Sequence, residues 1–296
     1  MTPHPSAPAH PVRPRISAGP MHGADVVIRH ATVRSDAPTD EIDMRRLIVT
    51  IDGPAGTGKS SVARDLAQAL GLEFLDTGAM YRAATALGLD RRVPLDDERA
   101  LAELIRESDL HFDWTTDPPT LLAFGTPMMG RLRDQDITRW VSPVSELAGV
   151  RRILVDLQRR IGEAHPRLVS EGRDQGSVVF HDADVKFYLD AHARVRAERR
   201  ADQLRAAGRP ANVDEIEHEI RTRDTRDTSR AVGPLVCPDD AVRVDTSNLT
   251  QSQVVEHLVG LVKQRVQHAV LHNDPLVGAG PAGLGGGGGT DGVGSA

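Results

Sequence analysis

Between about residues 45 and 270 the hydrophobic positions alternate between two kinds of pattern. Short apolar runs rich in β-formers stand at Leu47–Ile51, Leu168–Ser170, Val185–Leu189 and Val242–Val244, with helical patterns between them. Strands interspersed with helices predict an α/β fold built on a parallel sheet. The run at Leu47 leads into a helix expected from about Gly58 to Leu70. The last helix opens with Thr250 and Gln253 in capping-box spacing and then places Val254, Val255, Leu258, Val259 and Val262 on one face, which suits a helix that closes the sheet from one side. Between roughly 109 and 133, the pieces Leu110–Phe112, Leu121–Phe124 and Pro127–Met129 surround Asp117-Pro118-Pro119 and predict a small antiparallel insertion.

Outside this unit the periodicity fades. Residues 1–44 hold turn-formers and small residues, Val26–Ile28 apart, and the chain beyond about Leu271 becomes Pro/Gly-rich with the run Gly285–Gly289. The expected organisation is therefore a disordered N-terminal extension (1–44), one folded domain (45–270) and a flexible Gly-rich tail (271–296). Met1–Gly23 lacks the apolar stretch of a secretory signal. No run of about 18 apolar residues exists, so no membrane partner is expected.

Composition narrows the partners. The 296 residues carry a net charge of -6 with 26% charged residues, and without a basic excess nucleic acid is not an expected ligand. Cys237 is the only cysteine, which excludes an intrachain disulfide and a Cys-based zinc cluster and fits a reducing, cytoplasmic setting. It reads as a small packing residue rather than a nucleophile. His268 and His272 share an i, i+4 spacing but lack a third ligand, so no metal site is expected there. Cationic charge comes as 33 Arg and three Lys, at 59, 186 and 263. Lys186 and Lys263 read as incidental; Lys59 does not.

Leu47–Ile51 runs into Gly53-Pro54-Ala55-Gly56-Thr57-Gly58-Lys59-Ser60-Ser61, the P-loop pattern in its strand–loop–helix context. Its glycines let backbone N–H groups converge on a polyphosphate at the positive end of the next helix. Lys59 would reach the β- and γ-phosphates, and the Ser60 hydroxyl would bind Mg²⁺. A P-loop does not name the acceptor. No guanine-reading Asn-Lys-x-Asp segment is present, which disfavours a GTPase.

Three further segments bear on the acceptor. Asp76-Thr77-Gly78-Ala79-Met80-Tyr81-Arg82 starts a helix directly after a strand, so Thr77, Tyr81 and Arg82 lie near the carboxyl end of the sheet, where ligands bind in such folds. Taken alone it is also a plain capped helix. Glu171-Gly172-Arg173-Asp174 follows an apolar run: its guanidinium could clamp a phosphate and its carboxylate a base or ribose, or the two could form a surface ion pair. Ten Arg occupy 194–230 on two helical stretches parted by Gly208–Asn212, a candidate hinged flap. Most are expected to pair with neighbours such as Glu198, Asp202, Glu219 and Asp224, while Arg223, Asp227 and Arg230 share one face.

These four motifs, with Arg223–Leu235 as the fourth, occur in the order and spacing of bacterial-type cytidylate kinases, and the chain resembles that family over about 46–266. The resemblance implies an adenylate-kinase-like P-loop fold, with an NMP-binding region at about 76–166 and a short lid at about 194–212. It also implies transfer of the ATP γ-phosphoryl group to CMP or dCMP with Mg²⁺; the oligomeric state is left open, with monomer as the default expectation. Arg82 and Arg173 would bind the acceptor phosphate and act with Lys59 in catalysis. Ser142, Arg151 and Asp174 would read cytosine, and Arg223, Asp227 and Arg230 the ribose. Departures are Gly125–Met129 followed by Leu132-Arg133 where the family commonly has a Gly-Glu-Asp-Val turn before Ile-Arg, Glu171 where Asp also occurs, and Gln175 at a usually apolar position. Another acceptor such as UMP, or a nucleotide-binding regulator, are the competing readings.

Overall fold

The computed structural model describes residues 46–271. The extension expected at 1–44, the tail beyond Leu271, and His272 lie outside the described residues. Strands β1 (Leu47–Asp52), β2 (Glu73–Asp76), β6 (Arg167–Glu171), β7 (Val185–Asp190) and β8 (Val242–Asp245) form one parallel sheet in the order β2-β6-β1-β7-β8. β1 is central and buried at every position, as a strand covered on both faces must be. Leu47, Val49 and Ile51 join a core with Val62 and Leu66 of α1 (Lys59–Leu70) and with Val254, Leu258 and Val262 of α8 (Gln251–Leu271). Ile48 joins a second core with Met80 and Leu87 of α2 (Thr77–Arg91) and Leu154 of α5 (Ala148–Ala164).

The capping box forms as expected. Thr250 N donates to Gln253 Oε1 at 2.9 Å, and Gln253 N donates to Thr250 Oγ1 at 3.3 Å. Val254, Leu258 and Val262 are buried, with Val255 and Val259 partly buried beside them. The insertion is also present. After α3 (Glu98–Glu107), strands β3 (His111–Asp113), β4 (Thr120–Ala123) and β5 (Thr126–Pro127) pair antiparallel, and α4 (Gln135–Val144) follows. α6 (Ala193–Ala206) and α7 (Val213–Ser229) form the Arg-bearing hairpin around a small core of Ala197, Ala201, Ile216 and Ile220.

Two expectations need correction. Lys186 is not incidental: it is buried, and its ammonium donates to His181 O and to Asp240 Oδ2, each at 2.7 Å, tying β7 to the segment before β8. Cys237 is exposed rather than packed. Leu235 fills the buried position of the α7–β8 linker instead, and partial burial pushes the Cys237 thiol up, away from the nucleophilic thiolate.

Strand register is what positions the site. Asp76 lies opposite Glu171, Glu171 opposite Ile51, and Asp52 opposite Tyr188. Three carboxylates therefore stand together at the carboxyl edge of the sheet, where the loops leave for the ligand crevice.

Candidate functional site

A cleft of about 1320 Å³ opens at this edge and is lined by Ala55–Ser61 on one side and by Thr77, Tyr81, Arg82, Ser142, Arg151, Arg173, Asp174, Arg223 and Arg230 on the other. Gly53, Pro54 and Asp227 do not line it.

The loop owes its path to glycine. Gly53 adopts φ +146°, and a β-carbon there would stand 2.0 Å from Leu189 O, so the loop leaves β1 pressed against β7. Gly56 and Gly58 have φ +82° and +87°, a region most side chains avoid. Gly58 is the N-cap of α1 and supplies no side-chain cap, leaving the helix's first N–H groups for an anion. Lys59 is buried and donates to Pro54 O at 2.8 Å; Thr57 Oγ1 donates to the same carbonyl at 3.2 Å. Burial, helped by the charge of Arg173, pulls the Lys59 ammonium down to about 7, which marks a cation in need of a negative ligand. Ser60 Oγ donates to Glu171 Oε1 at 2.7 Å, and burial with the charge of Asp76 pushes the Glu171 carboxyl up. Ser61 is exposed at the cleft wall.

On the opposite wall, Asp76 caps α2 by accepting from Ala79 N at 2.9 Å. The cap fixes the first turn and with it Tyr81 and Arg82. Arg82 donates to Leu132 O at 3.3 Å and Thr138 Oγ1 at 3.2 Å, so the insertion does reach the site despite its altered turn. Thr77 is turned inward, its hydroxyl donating to Glu171 O at 2.7 Å.

Asp227 is fully buried and gathers three guanidiniums. Arg173 Nε donates to it at 3.1 Å, Arg223 Nε lies 3.9 Å away, and Arg230 pairs with it closely. Burial alone would push its carboxyl up, but Arg173, Arg230 and Arg223 together hold it below the usual range. The cluster still carries excess positive charge: burial and Arg173 drive Arg223 down to about 10.

The remaining pair is Arg151–Asp174, both buried, with the guanidinium of Arg151 5.7 Å from the Tyr81 ring centroid. Burial outweighs Arg151 and pushes the Asp174 carboxyl up. Ser142 Oγ and the Nε atoms of Arg151, Arg223 and Arg230 are buried without a hydrogen-bond partner. Orphaned donors of this kind cost free energy unless something fills the cleft.

Sequence reasoning missed two residues. Asp52, the last residue of β1, is buried and accepts from Gln175 N at 2.9 Å and Gly176 N at 2.7 Å, at the start of one wide π-type turn, Gln175–Val179. It fixes the backbone just after Arg173-Asp174, and burial pushes its carboxyl up to about 6. Its signal was a carboxylate ending an otherwise buried strand. Arg196, one of the ten Arg of 194–230, is buried; it donates to Ala55 O at 2.8 Å and pairs with Asp224 at 2.6 Å, linking the P-loop to α6 and α7. Gln175, odd at an apolar position, bonds Ser170 and Gln158.

Comparison with known proteins adds a second line of support. Residues 49–264 match the family described as Cytidylate kinase. A cytidylate kinase of Mycobacterium leprae is 43% identical over 222 residues, covering 75% of this chain and 98% of that protein. One from Rhodococcus jostii is 44% identical over 222 residues, covering 74% and 96%. A bifunctional pantoate ligase/cytidylate kinase of Synechococcus sp. is 42% identical over 245 residues, covering 82% of this chain and 45% of that protein, so the chain spans under half the length of such a relative.

Proposed function

The chain belongs to the cytidylate kinase family, and from that premise we propose that it transfers the γ-phosphoryl group of ATP to CMP or dCMP in the cytoplasm, giving ADP and CDP or dCDP. One observation carries the reading: a single cleft is lined by the P-loop and also by an arginine cluster beside a buried Arg151–Asp174 pair. A protein that only bound or hydrolysed ATP would have no use for the cluster and the pair.

Gly53–Ser61 cradles the donor phosphates, and Lys59 swings from Pro54 O onto the β/γ-phosphates. The hydroxyl of Ser60 and the carboxylates of Glu171 and Asp76 are hard oxygen donors that suit Mg²⁺. Ser60 would hold the ion with Glu171 beside it, and when bound it neutralises charge on the β- and γ-oxygens. Arg82 and Arg173 hold the acceptor phosphate in line. Asp174 accepts from the exocyclic amine of cytosine, while Arg151 and Ser142 face the rest of its Watson–Crick edge. Arg223 and Arg230, oriented by Asp227, meet the ribose.

The acceptor is already an anionic oxygen, so no strong general base is required; catalysis reduces to alignment and charge neutralisation. The segment at about 194–212 closes as the lid and the region 76–166 as the acceptor-side flap, excluding water. The protein acts as a monomer on small molecules, without nucleic acid or membrane. A coupled ADP-release assay with ATP, Mg²⁺ and CMP or dCMP tests this. Turnover that requires the monophosphate supports the reading, and ATP binding without monophosphate phosphorylation refutes it.

A further inference from the structure

Gln175 opens the wide turn that follows Asp174, yet neither it nor Gln158 of α5 lines the cleft. The two belong to a buried polar chain. Ser170 Oγ of β6 donates to Gln175 Oε1 at 2.8 Å, and Gln175 Nε2 donates to Gln158 Oε1 at 3.1 Å. Ser170, Gln175 and Gln158 are fully buried. Each amide offers two donors and two acceptor lone pairs, and burying them costs free energy unless they are bonded. A chain of this kind holds its members in one arrangement when its ends are engaged.

One end leads toward the base-reading pair. Gln158 Nε2 is buried without a hydrogen-bond partner, and so is the Tyr81 hydroxyl. Burial pushes that hydroxyl up to about 12, while the charge of Arg151 and the donor amide of Gln158 pull against it. The two orphans therefore face each other, with no bond closed between them. Arg151 and Gln158 are both buried on α5, seven residues or about two turns apart, so they share a face. The guanidinium of Arg151 lies 5.7 Å from the Tyr81 ring centroid, within cation–π range. Tyr81 thus has its hydroxyl toward Gln158 and its ring toward Arg151.

We propose that Gln175 is a positioning residue for the acceptor nucleotide: through Gln158 it sets where the Tyr81 hydroxyl sits, and the Tyr81 ring in turn sets the guanidinium of Arg151 that faces the base. The identity of that base rests on the CMP reading above; the relay itself does not. Ser170 anchors the far end on β6, so the sheet, α5 and α2 are tied by one line of side chains to the group that meets the acceptor.

The test is a double-mutant cycle of Gln175→Met and Tyr81→Phe. Methionine keeps the length of glutamine and removes its hydrogen bonds. Gln175→Met should raise KM for CMP roughly 3–10-fold, the worth of one lost hydrogen bond, and leave KM for ATP unchanged. In a Tyr81→Phe background the same substitution should add less than about twofold, because the relay has lost its target. Equal factors in the two backgrounds, or an unchanged KM for CMP in Gln175→Met, would overturn the proposal. A second readout needs no nucleotide. The chain has two tyrosines, so with Tyr188→Phe a tyrosine-specific carbon-13 label reports on Tyr81 alone. The resonance of its hydroxyl-bearing ring carbon should move in Gln175→Met, and an unmoved resonance would overturn the relay. Should Gln175→Met not fold, Ser170→Ala removes the anchor and spares both amides; the same resonance should move, and its constancy would overturn the proposal. Wild-type preference for CMP tests the parent reading and the nucleotide-free resonance tests the relay, so the two fail separately.

Discussion

Asp227→Asn removes the one carboxylate shared by Arg173, Arg223 and Arg230 while keeping its shape. Those guanidiniums lie within 3.1 Å, 3.9 Å and close pairing distance of it, and the carboxylate is fully buried. Breaking a buried ion pair from one side costs about 3–5 kcal/mol. The side chains of Arg173 and Arg223 keep 19% and 32% exposure, so solvent screening places the cost near the low end, about 3 kcal/mol. For a domain of this size that is a loss of roughly 6–12 °C in Tm. The distinguishing feature is anion dependence: inorganic phosphate or CMP supplies the missing negative charge, so the deficit should shrink on adding either at matched ionic strength. The acid limb should change as well. Asp227 is held below its unfolded value of 3.8; its stabilisation is complete above that value and lost as pH falls through the folded one, so the variant's acid limb should be flatter. Thermal melts with and without phosphate measure all of this. A deficit under about 2 °C, or one indifferent to phosphate, would refute the cluster's role as an anion site.

Lys59→Ala should cut turnover by about 10²–10³-fold with the fold retained. Because the wild-type ammonium is pulled from 10.5 to about 7, wild-type stability should rise between those pH values and the variant's should not. Asp52→Asn loses one of two backbone anchors behind Arg173-Asp174, so kcat/KM for CMP should fall roughly tenfold while affinity for an ATP analogue holds. Its carboxyl is raised from 3.8 to about 6, a contribution that fades as pH rises across that window; melts of the variant should lack the fade. Lys186→Met breaks the clamp on His181 O and Asp240, and urea melts should show a loss of about 1–3 kcal/mol with KM values unchanged.

Local chemistry was legible in the chain. The P-loop, the Asp76 cap, the Thr250–Gln253 box and the apolar stripe of α8 all depend on residues a few positions apart, and the antiparallel insertion declared itself through short strands around Asp117-Pro118-Pro119. What the chain hid depends on register across distance. Arg151 meets Asp174 only because α5 packs beside the turn after β6. Asp227 looked like a ligand-facing carboxylate on a helix face, yet the fold turns it inward to hold three arginines. Asp52 and Arg196 are ordinary residues in text, and become anchors only because β1 runs beside β6 and because α6 lies over the P-loop. Cys237 and Lys186 exchanged their expected places for the same reason: burial is decided by the linker's path and the packing beside β7, not by residue type.

The most direct test is a single competition reaction in which the enzyme, ATP and Mg²⁺ meet CMP, dCMP, UMP, AMP and GMP at equal concentration, with the diphosphates resolved by chromatography over time. CDP and dCDP should accumulate first and fastest, reflecting a base edge matched to Arg151, Asp174 and Ser142. Faster formation of UDP, GDP or diphosphate from AMP would contradict the assignment of that constellation to cytosine.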